Sequence, residues 1–171
     1  IEGLEFEDDN LSPEVALNYY INDDTSVYIA YKKAFKSGGI DNSALPTASI
    51  NPLSPTFEGF DALIYDSEEA DGFEIGLKSN LLDGNMRLNA TYYKYEYTDL
   101  QVQLFDAAII QFSTFNAGAV ETEGFEADLL WYTDIEGLTV RSQFAWTDAT
   151  NTGDFFTPGG ENLKGSKRSY S

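Results

Sequence analysis

The sequence predicts an all-β chain: an antiparallel transmembrane β-barrel segment of about six to seven strands, with short turns at one end and long loops at the other. Three observations predict it. Apolar and polar residues alternate with period two in every extended run, so each run has one apolar and one polar face. Aromatic residues gather at the strand ends that meet the long connections: Tyr31, Phe35, Tyr92, Tyr95, Phe144 and Trp146 all lie there. Transmembrane barrels place aromatic girdles at their lipid–water interfaces. Finally, tight turns alternate with long loops along the chain, the asymmetry of barrels with short periplasmic turns and longer extracellular loops.

The first strand is expected over about 13–21, with Val15, Leu17, Tyr19 and Ile21 opposite Glu14, Ala16, Asn18 and Tyr20. Asn22-Asp23-Asp24 turns the chain into a second strand over 25–35, where Val27, Ile29 and Tyr31 share a face. Residues 36–70 read as a long irregular loop, marked by Gly38-Gly39, Pro46, Pro52 and Pro55. A hairpin follows over 70–80 and 85–104, folded about Asp83-Gly84. In its first arm Phe73, Ile75 and Leu77 alternate with Glu74, Gly76 and Lys78, and its second arm carries Tyr92, Tyr93, Tyr95 and Tyr97. A fifth strand spans 115–132, a turn ends at Gly137, and a sixth strand covers 138–147. After a polar loop a seventh strand begins over 165–171, and the whole of 1–171 reads as one partial barrel domain of a longer polypeptide.

Composition removes several function classes. No run of about 18 apolar residues exists, so no helical span is expected, whereas a barrel strand needs only about 9 to 11 residues. The chain has neither cysteine nor histidine, which removes disulfides, thiolate or imidazole metal sites and His-based catalysis. A net charge of −19 argues against nucleic acid as a partner, since phosphate binding relies on clustered Lys and Arg. No cofactor is implied.

The polar faces place Glu74, Lys78, Arg87, Glu126, Asp128, Arg141 and Gln143 on an expected lumen wall of mixed charge. The solvent face of an ordinary antiparallel sheet reads the same way. Ligand contact is expected on the loops, through Phe57, Phe60 and Tyr65 in the first and Phe112, Phe155 and Phe156 in the others. The alternative is that these rings pack their loops onto neighbours. Acidic clusters, Glu5-Glu7-Asp8-Asp9 and Asp66-Glu68-Glu69-Asp71, suit calcium or divalent ions bridging lipopolysaccharide phosphates, or are solvated loop charge. The carboxylate pairs Glu121/Glu123 and Glu126/Asp128 fall at i, i+2, which is strand alternation, and no catalytic residue is expected. Gly76, Gly118 and Gly124 read as bulges or points of close approach.

The succession Ser12-Pro13-Glu14-Val15-Ala16-Leu17-Asn18-Tyr19 and Tyr28-Ile29-Ala30-Tyr31-Lys32-Lys33-Ala34-Phe35 resembles the C-terminal half of TonB-dependent outer-membrane receptors. Phe73-Glu74-Ile75-Gly76-Leu77-Lys78 resembles that family's E-x-G-x-K strand, Tyr97-Thr98-Asp99-Leu100-Gln101 its Y-x-D-x-Q, and Asn116-Ala117-Gly118-Ala119 its N-A-G-x-A. Gly165-Ser166-Lys167-Arg168 is similar to its P-R strand opening, with Lys167 in place of the usual Pro. The resemblance covers almost the whole chain. It implies a segment of a barrel of about 22 strands with a plugged lumen, in the outer membrane of a Gram-negative bacterium. The implied function is import of a scarce nutrient, foremost a ferric siderophore, otherwise haem, cobalamin or an oligosaccharide. The implied partners are outer-membrane lipid and lipopolysaccharide, the transported small ligand, and TonB through an N-terminal region outside this sequence. Two other readings stay open: a small non-transporting barrel or adhesin, and a soluble β-sandwich in which Val15, Leu17, Ile75, Leu77, Leu129 and Val140 face a protein core.

Overall fold

A computed structural model describes residues 6–41, 63–106, 111–156 and 160–168. The described residues form ten strands: β1 (Glu14–Tyr20), β2 (Thr25–Lys36), β3 (Gly39–Ile40), β4 (Ile64–Tyr65), β5 (Glu68–Leu81), β6 (Met86–Thr98), β7 (Gln101–Asp106), β8 (Gln111–Asn116), β9 (Ala119–Tyr132) and β10 (Thr139–Asn151). Six form one antiparallel sheet in the order β1-β2-β5-β6-β9-β10, and β3-β4 and β7-β8 are separate two-stranded arms. The fold is all-β and antiparallel, as the alternation predicts, and the sheet is an open segment of a barrel. No helix among the described residues is long and apolar enough to cross a membrane.

Local chemistry sets the tight turns. Asn22 Oδ1 accepts the Asp24 amide at 2.9 Å, an Asx turn that returns β1 into β2. Leu82, Asp83 and Gly84 all take positive φ (54°, 52° and 85°) to reverse β5 into β6. Gly137, at φ 78°, lets β9 return into β10 while the Thr133 hydroxyl donates to the Leu138 carbonyl at 2.9 Å. All three turns lie at one end of the sheet, called lower here, and the connections 37–67 and 99–118 lie at the upper end.

The strand run expected over 85–104 is divided. Asp99 adopts φ 52° and ends β6, so that β7 departs from the sheet to pair with β8. Ala117 and Gly118 (φ 63°) bring the chain back into β9. At the other end of the chain the segment after the last loop starts a further strand: the Asn151 amide donates to Ser166 O and the Arg168 amide to Ala149 O, at 3.0 and 2.8 Å.

Register sorts the side chains into rows about 7 Å apart on each face. The apolar face carries Val15, Leu17 and Tyr19 of β1, Val27, Ile29 and Tyr31 of β2, and Phe73, Ile75 and Leu77 of β5. It continues with Leu88, Ala90 and Tyr92 of β6, Phe125, Ala127 and Leu129 of β9, and Phe144 and Trp146 of β10. No second layer covers it among the described residues: Leu17 is 69 % exposed, Val15 61 % and Phe144 58 %.

Aromatic residues edge this face. At its upper side Tyr31 faces Phe73, whereas on β6, β9 and β10 the edge is Tyr92, Phe125 and Trp146, one row lower. At the lower side Tyr19 sits in the row of Val27 and Leu77, while Trp131 lies two rows further down beside Met86. The apolar band therefore slants across the strands, as it does when strands tilt relative to a barrel axis. Two residues above each upper aromatic comes a charge: Lys33, Asp71, Lys94, Glu123 and Asp148. Ion pairs fill this rim, Lys33–Glu69 at 2.8 Å, Lys94–Glu121 at 2.9 Å, and Lys167 with Asp148.

On the polar face two three-strand rows repeat one joint. Tyr28 lies over Gly76 and its hydroxyl reaches Thr91 Oγ1 at 3.0 Å; Tyr93 lies over Gly124 and reaches Thr147 Oγ1 at 2.8 Å. The three residues of each joint stand directly opposite one another on neighbouring strands. A Cβ at either glycine would occupy the space of the tyrosine ring. These glycines are points of close approach, whereas Gly118 serves a turn.

Candidate functional site

The seven residues expected on a lumen wall share the polar face, in rows that run up from the tight turns. Arg87 and Arg141 flank Leu130 in one row; Lys78, Asn89, Asp128 and Gln143 form the next; Thr91 and Glu126 follow, then Glu74 and Tyr93. Glu74 is the best satisfied of them. It accepts Lys32 Nζ at 3.0 and 3.1 Å and the Tyr95 hydroxyl at 2.6 Å, with Glu14 at 3.9 Å from the same ammonium. Lys78 stands 5.4 Å from the Tyr28 ring centroid, a cation–π contact. Asn89 Nδ2 donates to both Asp128 oxygens, at 2.9 and 3.2 Å. Arg87, Asp128, Arg141 and Gln143 line one open groove, and Glu126 lines its neighbour with Asn89 and Thr91.

Side-chain amides and carboxylates tie together the described residues of the upper end. Asn116 Nδ2 donates to Asp66 O at 2.9 Å and to Asp99 O at 2.7 Å, and its Oδ1 accepts the Asp66 amide at 2.7 Å. Gln101 Nε2 donates to Ser37 O at 2.8 Å, and the Gln101 backbone N–H donates to Glu68 Oε2 at 3.0 Å. Asp41 Oδ2 accepts the Thr114 amide at 2.6 Å, and Asp8 Oδ2 accepts the Ser37 hydroxyl and Gly38 amide at 3.0 Å each. Two side chains thus join the ends of β2, β5 and β6 to both arms. Such a clasp gives partners to backbone groups of the upper connections that no strand ladder pairs.

Removing it has a local effect. For Asn116→Ala we expect a loss of about 1–3 kcal/mol, because the Asp66 and Asp99 backbone groups lose their partner. Limited proteolysis checks this: cutting is expected within the two upper connections at least fivefold faster, with the six-stranded sheet still protected.

The candidate ligand-contact residues separate into groups. Phe57 and Phe60 lie outside the described residues. Tyr65, in β4, covers Gly39, and Phe155 lies against Gly118, so both act at least partly as packing. Phe112 and Phe156 are 50 % and 57 % exposed. Phe112 meets Phe105 across the β7–β8 arm, with ring centroids 5.1 Å apart at 54°. The sequence reading missed Phe105; its signal is the symmetric placing of two phenylalanines about 107–110.

The carboxylate pairs fall on opposite faces. Glu121 pairs with Lys94 at 2.9 Å and Glu123 accepts the Tyr92 hydroxyl at 2.9 Å on the rim of the apolar face, whereas Glu126 and Asp128 belong to the polar face. Among the described residues no group of three or more acidic side chains is placed to hold a metal ion.

Comparison with known proteins then decides the family. The family model described as "TonB dependent receptor-like, beta-barrel" matches residues 3–171. This chain belongs to the TonB-dependent receptor family. Solved TonB-dependent receptors share the fold. The ferric yersiniabactin uptake receptor FyuA from Yersinia pestis superposes with a TM-score of 0.65 at 19% identity, covering 91% of this chain and 21% of that one. The ferripyoverdine receptor of the outer membrane of Pseudomonas aeruginosa gives 0.56 at 19% identity, covering 92% and 19%. The ferric-catecholate import receptor Fiu from E. coli K12 gives 0.55 at 22% identity, covering 88% and 20%. The chain therefore spans about a fifth of the length of each of these receptors. No curated protein sequence matches it.

TonB-dependent receptors are outer-membrane β-barrels of Gram-negative bacteria that bind small ligands such as siderophores, interact with TonB and act as transporters, not enzymes. In this member of the family the Y-x-D-x-Q and N-A-G segments meet in space. Asp99 supplies the break, Gln101 and Asn116 the clasp, and Gly118 the return into β9.

Proposed function

We propose that the longer protein containing this chain is an active-transport receptor that imports a ferric siderophore or similar iron complex through the outer membrane, coupled to TonB. The family match over residues 3–171 carries this reading. Titles of the similar structures support the choice of cargo, since they name ferric yersiniabactin, ferripyoverdine and ferric-catecholate receptors. In this reading the slanted apolar face meets lipid, its charged rim meets the lipopolysaccharide headgroups, and the polar face with Glu74, Lys78, Arg87, Glu126, Asp128, Arg141 and Gln143 lines the lumen. The upper arms present aromatic rings to cargo. Exposed Phe112 and Phe156 are its contacts here, with Phe105 beside the first.

Uptake of radiolabelled iron tests the reading. A strain lacking the full-length gene is expected to lose uptake of one ferric siderophore, and a protonophore is expected to abolish uptake in the parent. Unchanged iron uptake together with lost growth on cobalamin, haem or a glycan would reassign the cargo, and no transport defect of any kind would favour a non-transporting barrel. For the paired change Phe112→Ala/Phe156→Ala we expect the Kd for that siderophore to rise about tenfold, equivalent to about 1.4 kcal/mol, with normal assembly of the barrel.

A further inference from the structure

The upper connections carry negative charge that no cation of theirs offsets. Residues 37–67 and 99–118 together contain six carboxylates and neither lysine nor arginine. Residues 6–13, which lead into β1 at the same end, add Glu7, Asp8 and Asp9. The cations at the neighbouring strand ends and in the last loop sit beside acids. Lys33 pairs with Glu69, Lys94 with Glu121 and Lys167 with Asp148, Lys164 lies 3.8 Å from Asp154, and Lys36 stands opposite Glu68 in the β2–β5 register. Arg168 donates to Asn151 Oδ1 at 2.8 Å. Asp8 and Glu68 accept from neutral donors: Asp8 takes the Ser37 hydroxyl and the Gly38 amide, and Glu68 the Gln101 backbone N–H. Those bonds fix the carboxylates in place without cancelling their charge. The same end carries aromatic rings, with Phe105 and Phe156 49 % and 57 % exposed. Rings together with carboxylates are the chemistry that attracts an ammonium group and repels a polyanion.

We propose that the upper arms select cargo by charge: they favour a ferric complex that bears a pendant ammonium, accept a neutral one, and turn away a polyanionic one. This rests on the reading of the arms as the face that meets imported iron complexes, and it narrows the class of complex. Three hydroxamates balance the charge of the ferric ion, so a trihydroxamate complex is neutral and becomes a cation when it carries an ammonium. Three catecholates leave a trianion. A field of one sign changes capture rates by about 10- to 1,000-fold. It reaches about 10 Å at 0.1 M salt, so it acts on cargo at the arms and fades as salt is added. Net charge adds to the effect at longer range, since the chain carries 29 acidic and 10 basic side chains.

Two measurements test it, and the first needs no known cargo. The full-length protein in neutral detergent carries an uncharged fluorophore at Gln103→Cys, an exposed position of β7. A cationic and an anionic nitroxide of like size then quench it, each scaled to its quenching of the free dye. The cationic quencher is expected to be favoured at least about threefold at about 20 mM salt, and the two are expected to become equal at about 0.5 M. The isosteric triple change Asp66→Asn/Asp99→Asn/Asp106→Asn is expected to remove at least half of that preference. Equal quenching at low salt, or a preference that the triple change leaves intact, overturns the proposal. The second measurement uses the strain lacking the full-length gene and a panel of radiolabelled ferric complexes of known charge. The complex whose uptake is lost is expected to carry no net negative charge, and acetylating a pendant amine on it to slow receptor-dependent uptake at least threefold. Loss of a trianionic tricatecholate complex instead would overturn charge selection and leave the iron-uptake reading standing. Loss of no iron complex would sink the iron-uptake reading, and the iron cargo named here with it, whatever the quenching shows.

Discussion

Placing an arginine at Leu77 is expected to destabilise the full-length receptor by about 2–4 kcal/mol, the cost of a charged side chain at the lipid-facing midplane of a barrel. Leu77 is the middle residue of the β5 apolar stretch, between Ile75 and Phe73 above and Ser79 and Leu81 below. Its row also holds Val27, Ala90 and Ala127, none of which offers a charge partner. On the opposite face, Gln143→Arg joins a polar row beside Asp128 and is expected to change stability by less than about 0.5 kcal/mol, the ordinary range for surface sites. Equilibrium unfolding in phospholipid vesicles compares the two. Equal costs at Leu77 and Gln143 would mean that the two faces meet the same environment, and the membrane orientation proposed here would fall.

A methyl group at Gly76 is expected to cost about 1–3 kcal/mol, because it must displace the Tyr28 ring from a close-packed joint. The three nearest atoms to that methyl all belong to Tyr28, so Tyr28→Ala should abolish most of the penalty. A double-mutant cycle on Gly76→Ala and Tyr28→Ala is therefore expected to show a coupling of at least about 1 kcal/mol, within the range for residues in contact. Gly124 makes a useful contrast. There the methyl would also meet the Trp146 carbonyl oxygen, so Tyr93→Ala relieves Gly124→Ala only in part. Additive costs at Gly76 and Tyr28 would show that the ring does not rest on the glycine.

Alternation made the sheet legible in the sequence. The phase of each strand was readable because Val15, Leu17, Ile75, Leu77 and Leu129 recur at every second position, and register follows once a tight turn joins two such strands. A charge two residues above each upper aromatic was equally open to inspection, and it marks the rim on five strands. The break at Asp99 was not readable, because a non-glycine residue with positive φ has no strong signature and the run beyond it, Gln101 to Asp106, alternates like any strand. Nor was the clasp. Asn116 and Asp66 are 50 residues apart, and only the assembled sheet brings them together. Tyr93 and Tyr95 were visible as aromatic residues near a strand end, and Tyr28 only as a residue on the face opposite Val27 and Ile29, but their use depends on which glycine or acid the neighbouring strand sets opposite.

The tyrosine joints have a further consequence for how the sheet is built. Each joint requires three strands at once: the ring comes from one, the glycine from the next and the threonine from the third. A slip of β2 by one residue would turn Tyr28 to the other face, and a slip by two would set its ring on Glu74 or Lys78, where there is no room for it to lie flat. Within a hairpin the tight turn fixes the register, but the long connections leave the register between hairpins open, and there a slipped strand finds its ring, glycine and hydroxyl out of line. The rows Tyr28–Gly76–Thr91 and Tyr93–Gly124–Thr147 thus work as keys cut for one alignment, checking each new hairpin as it docks on the last.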